Sequence, residues 1–197
     1  VSALTTAQVS AIAGSSLVSI STQALALFNS AQVAALSTAS VVSLGTKVSS
    51  IATSAVSGMR SAQLAVMSYS QINSLSTKQV SALDTSMSYI STAQISSLTT
   101  DVISSISTAG LMALSTLQRS KLSTLQIQKL SSDQVAALTS VEIAKLTTAQ
   151  IAALETVDLN TFTSDEIQVL SSTQMKALTS IQLNALDPAL LNDFTTL

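Results

Sequence analysis

An eight-residue repeat runs through this chain and restricts its fold more than any other feature. Residues 146–153 (LTTAQIAA), 130–137 (LSSDQVAA), 28–35 (FNSAQVAA) and 170–177 (LSSTQMKA) share one octad: apolar, Ser/Thr, Ser/Thr, variable, Gln, apolar, variable, small. With Leu4 as the first position one, every later position one is apolar, through Leu186 and Phe194. Position six is apolar from Val9 to Leu191, with Arg119 as the exception. Two units, 44–50 and 83–89, are one residue short and lack the Gln. Local kinks are expected there.

A continuous α-helix cannot use this period. It turns about 100° per residue, so each octad would move the apolar stripe by roughly 80° and no seam could form. Something must interrupt the helix once per octad. The interruption is legible at positions two to five, where Ser or Thr followed three residues later by Gln is a capping box, as in Ser91 with Gln94, Ser131 with Gln134 and Thr147 with Gln150. Asn29, Asp84 and Asp187 at position two are also good N-caps, and Pro188 then falls at the first helical position, where its missing N–H does no harm.

Each octad is therefore expected to form about one and a half turns of helix, from position three to the next position one, with positions six and nine on one buried face. Small residues at position eight, such as Ala11, Ala35, Ala82, Ala137, Ala153 and Ala177, would let neighbouring helices approach closely. The predicted fold class is all-α: a solenoid of short capped helices, one per repeat, in a single continuous array over residues 1–197. The alternative is a β-solenoid, which also uses short repeats with rows of Thr, Val and Ile. Against it stand the scarcity of turn glycines, the Ala and Gln content, and apolar spacings of five and three instead of two. Two aliphatic anchors cannot offset the entropy of ordering eight residues, so stability should accumulate with repeat number.

Composition removes most chemistry. The 197 residues include no His and no Cys, which excludes conventional Ser-His-Asp and Cys-His catalysis, disulfides and zinc–thiolate sites. Phosphate-binding glycine loops and calcium-loop motifs are absent from the sequence. A net charge of −2 without a basic stripe argues against nucleic acid, and no apolar run approaches the length of a membrane span. No catalytic, cofactor-binding or metal-binding residue is assigned, and the chain is expected not to be an enzyme.

A few side chains stand out from this background. Adjacent Asp165 and Glu166 read as helix-start charges favoured by the macrodipole, with a catalytic carboxylate pair as the sharper alternative. Arg119, Lys121, Lys129 and Lys145 read as a solvated face, with Leu117 supplying the apolar contact that Arg119 cannot. Met59, Met67 and Met87 read as core, while Tyr69 and Tyr89 are candidates for an exposed contact. Before Asp84 the ionic side chains are Lys47, Arg60 and Lys78, and every acid lies at or after Asp84. The first part of the chain thus presents a nearly uncharged Ser/Thr surface, poorly defended against lateral self-association.

The unit L-[ST]-[ST]-A-Q-[VI]-A-A-L, as in residues 146–154, resembles the low-complexity repeat tracts of very large secreted bacterial exoproteins linked to adhesion or haem utilisation. The resemblance implies an extracellular or cell-surface structural element, without carrying over any functional residue. The leading expectation is a stalk or self-assembling surface filament. The alternatives are an adhesin spacer or ligand-binding repeat surface, and ice binding by rows that include Thr5, Thr6, Thr99, Thr100, Thr147 and Thr148. Val1, Ser2 and Ala3 at one end, and Phe194, Thr195, Thr196 and Leu197 at the other, fall within repeats and lack a polar capping repeat. The expectation drawn from this is continuation in a longer chain or head-to-tail stacking on another subunit.

Overall fold

Short helices follow one another in octad register through the computed structural model, which describes the backbone of residues 3–195 and the side chains of residues 3–191. Twenty-two α-helices and two 3-10 segments, joined by short caps and turns, occur among the described residues, and no strand occurs among them. The fold is an all-α solenoid, and the β-solenoid alternative is excluded. The role expected for the Phe194 side chain lies outside the described residues.

The cap chemistry sets each helix start. Thr5, Asn29, Ser68, Ser91, Ser131, Thr147 and Thr179 all adopt extended backbone at position two, and their side chains accept the amide of the Gln three residues on. That Gln returns its Oε1 to the cap amide, as from Ser68 to Gln71 at 3.0 Å. Pro188 opens its helix, Pro188–Thr195, and Asp187 Oδ1 accepts from Ala189 N at 2.8 Å. Cap and proline both fall where expected.

Helices end earlier than the spacing suggests. Ser30–Ala35, Thr92–Ser97 and Thr148–Ala153 stop at position eight, and the next position-one residue is an extended C-cap whose N–H bonds to the position-six carbonyl, as in Leu36 N to Val33 O at 3.2 Å. A residue followed by an N-cap must be extended to start the new helix, so position one cannot finish the old one. It buries its side chain from the junction. Position one is buried from Phe28 to Leu186 and position six from Val9 to Ile167, apart from Arg119. Leu4, Ile12 and Ile20 at position one, and Met175, Leu183 and Leu191 at position six, are half-buried. Position one is therefore covered by the preceding turn and position six by the following one.

The two short units adopt a different backbone. The helices before them, Thr38–Leu44 and Thr77–Leu83, extend through position one, and the 3-10 segments Gly45–Ser50 and Asp84–Tyr89 follow directly. Gly45 and Asp84 take positive φ values of 52° and 45° at these junctions. Asp84 is consequently not the N-cap expected from its type: losing one residue removes the extended cap, and the chain reverses through positive φ instead.

Two compact units are distinguished, Val1–Leu114 and Ser115–Leu197. Within each, a helix packs on the one three elements earlier, as Thr6–Ser10 with Ser30–Ala35 in the first unit and Thr124–Gln128 with Thr148–Ala153 in the second. The backbones can meet closely because small residues line the contact. A Cβ added to Gly58 would overlap the Ser30 carbonyl, and one added to Gly110 would come within 2.8 Å of Asp84 O.

Candidate functional site: the stitch at position five

Position five does more than complete a cap. Apart from the exposed Gln8, its Gln side chains are almost completely buried, among them Gln63, Gln71, Gln94, Gln150 and Gln182. While Oε1 accepts the local cap amide, Nε2 points the other way and donates to backbone carbonyls about one superhelical turn earlier. Gln63 Nε2 reaches Val33 O at 2.8 Å and Leu36 O at 2.7 Å, and Gln94 Nε2 reaches Leu64 O at 3.0 Å and Met67 O at 2.7 Å. In the second unit Gln150 reaches Arg119 O and Leu122 O, and Gln182 reaches Ile151 O and Leu154 O. The acceptors are the position-one carbonyl after an earlier helix and the position-six carbonyl, which already accepts the position-one N–H of its own turn and takes the amide as a second donor. One amide thus starts its own helix and finishes another.

Two replacements, Ser40 and Lys47, keep a backward donor. Ser40, fully buried, donates Oγ–H to Ile12 O at 3.3 Å. In the first short unit Lys47 stands where the Gln would precede position six, and its Nζ donates to Val18 O at 2.6 Å and Ile20 O at 3.2 Å. A second device, not anticipated from sequence, runs forward from position seven. Asn73 donates to Ser97 O at 3.0 Å and accepts from Thr99 N at 3.0 Å; Asn160 repeats the arrangement with Ala185 O and Asp187 N.

The charged outlier of the core is paired. Arg119 Nη2 lies 2.7 Å from Glu142 Oε1, with both side chains nearly buried, and is not part of a solvated face. Glu142 occupies position five of its own octad, and its Oε2 accepts from Thr139 N at 2.8 Å. The carboxylate cannot donate, so the earlier turn supplies the donor as a guanidinium. Leu117 does not fill in for Arg119; it is 61% exposed. Lys121, Lys129 and Lys145 are exposed.

The remaining singled-out residues fall into place individually. Glu166 completes the cap of Thr163, accepting from its N–H at 2.8 Å, while Asp165 is exposed. Met59, Met67 and Met87 are buried, and Tyr69 and Tyr89 are about half exposed. Thr5, Thr99 and Thr147 spend their hydroxyls on helix caps. An open groove of about 330 Å³ in the first unit is lined by Asn73, Leu75, Ser76, Thr99, Asp101 and Val102. Exposed apolar side chains recur at position four of the second unit: Leu117, Leu125, Val141, Val157 and Ile181. No group of three or more metal-ligating side chains occurs among the described residues, and no helix there is long and apolar enough to cross a membrane.

Residues 120–148 and 151–188 match the ALTTAQ repeat family. Both stretches lie in the second unit; the later one contains the stitching residues Gln174 and Gln182, and Gln150 falls between the two. The match supports a repeat protein built on the octad. No curated protein and no solved structure matches the chain.

Proposed function

We propose that this chain is a non-enzymatic structural element of an extracellular stalk or self-assembling surface filament. The observation that carries the reading is the use made of polar side chains. Gln, Ser40, Lys47, Asn73 and Asn160 are committed to holding one turn to another by backbone hydrogen bonds, an arrangement suited to bearing load. A nearly uncharged Ser/Thr surface before Asp84 and the exposed apolar residues at position four favour lateral association between copies.

Electron microscopy and sedimentation velocity over a wide concentration range test the filament. Elongated or laterally associated particles are expected, and compact monomers at every concentration would end the self-assembly reading. The open groove at Asn73 and Asp101 favours an adhesin surface as the second reading. Retention of a glycan or host-surface ligand by the isolated array would support that reading over a passive stalk.

A further inference from the structure

Asp158 departs from every other stitch. It stands at position five, is 2% exposed, and has one carboxylate oxygen, Oδ2, without a hydrogen-bond partner. Its Oδ1 accepts from Ser132 Oγ at 2.9 Å, across to the helix Ser132–Ala136 of the earlier turn. The stitching Gln residues of this unit show what this position faces. Gln150, Gln174 and Gln182 each donate to the carbonyls 28 and 31 residues earlier. The same register gives Asp158 the carbonyls of Leu130 and Ile127. An ionised carboxylate there sets acceptor against acceptor in a buried place. A carboxylic acid has the one donor that the register requires.

We propose that Asp158 is a proton-operated stitch: when protonated, its Oδ2–H donates to the Ile127 or Leu130 carbonyl and ties the helix Thr156–Leu159 to the end of the helix Thr124–Gln128. At neutral pH the ionised form leaves this one inter-turn contact weaker than its Gln-stitched neighbours. The second unit then carries a contact that tightens on acidification.

The charges around Asp158 agree with that direction. Burial raises its pKa above the usual carboxylate value; the Ser132 hydrogen bond opposes this, the negative Glu155 on the same turn adds to the rise, and the Glu155 backbone N–H opposes it by a smaller amount. Of the two helices packed against Thr156–Leu159, Ser132–Ala136 carries Asp133 and Ser180–Ala185 carries no charge. Lys129 precedes the first of these and Asp187 follows the second. A carboxyl whose pKa is raised by folding takes up a proton on folding. Its penalty is therefore full above the folded pKa, is relieved as pH falls through it, and does not change further below the ordinary Asp value.

The test compares the whole chain with Asp158→Asn and Asp158→Gln, which carry a permanent donor. The wild-type Tm should rise between pH 7.5 and pH 4.5 by roughly 2–4 °C more than that of either variant, the shift expected for about 1 kcal/mol in a chain of this size. Equal pH dependence in all three proteins would overturn the proposal. The wild-type ¹³C carboxyl resonance of Asp158 gives a second readout that needs no variant to fold. A midpoint above the ordinary Asp range is expected, and a midpoint within or below it would overturn the proposal.

Discussion

Arg119 and Glu142 form an ion pair of 2.7 Å that links position six of one octad to position five of the third octad after it. It replaces an aliphatic anchor and a Gln donor by a charge and its counter-charge. Removing one partner strands the other in a nearly dry site. Glu142→Ala should cost about 1.5–3 kcal/mol, the worth of a charge-assisted hydrogen bond, as measured by urea denaturation. The double change Arg119→Ile with Glu142→Gln restores the repeat consensus and should cost less than Glu142→Ala alone. A double variant as unstable as the single one would show that the pair itself is not what matters there.

Gln63 separates capping from stitching. Glu can also complete a capping box, so Gln63→Glu should keep the hydrogen bond from Arg60 N, now 2.7 Å. It loses the donor to Val33 O and Leu36 O and puts a buried carboxylate against them. The expected loss is about 1–3 kcal/mol at pH 7. Burial should raise the pKa of the introduced carboxyl, so part of the loss returns as pH falls. A Gln63→Glu variant as stable as the wild type at neutral pH would show that the backward donor contributes nothing.

Lys47 offers the same test with a charge. Lys47→Met keeps the length of the apolar stem but removes the Nζ donor to Val18 O and Ile20 O. Hydrogen bonds to charged groups are worth about 1.5–3 kcal/mol when buried, and the partial exposure here argues for the lower end or below. Faster amide exchange at the end of the helix Gly14–Val18 should accompany the loss. Unchanged exchange there would argue against a stitch through Lys47.

Gly45 isolates a backbone effect. A Cβ at this residue would meet nothing within 4 Å, yet its φ of 52° is one that L-residues rarely adopt. Gly45→Ala should therefore destabilise by about 1–3 kcal/mol through conformation alone. Gly58→Ala fails for the opposite reason, since its Cβ would overlap the Ser30 carbonyl. Thermal unfolding followed by circular dichroism measures both, and a neutral Gly45→Ala would show that the short unit has another accessible backbone.

Helix starts were legible because a capping box is local: Thr147, Gln150 and the residues between them contain all of its atoms. Burial at positions one and six was legible because the period leaves one consistent apolar face. A clue to the stitch was also present, in the preference for Gln over Glu at position five, since both complete a cap but only Gln donates. Its partners were not legible. The octad does not reveal that the position-five amide meets carbonyls 27 to 31 residues earlier, because that distance depends on how successive helices turn against one another.

The sequence by itself determined the repeat, the all-α class, the capped starts and the apolar anchors, since each follows from chemistry within a few neighbouring residues. Only the tertiary structure decided that Arg119 meets Glu142, that Lys47 replaces a Gln, that Asp84 turns through positive φ, and that Asp158 is buried with an unpaired oxygen. Three of these features join residues more than twenty apart, and the fourth arises where a missing residue forces the backbone to rejoin the register. The physical reason is shared: a polar side chain is defined by its partner, and the winding of the chain places that partner.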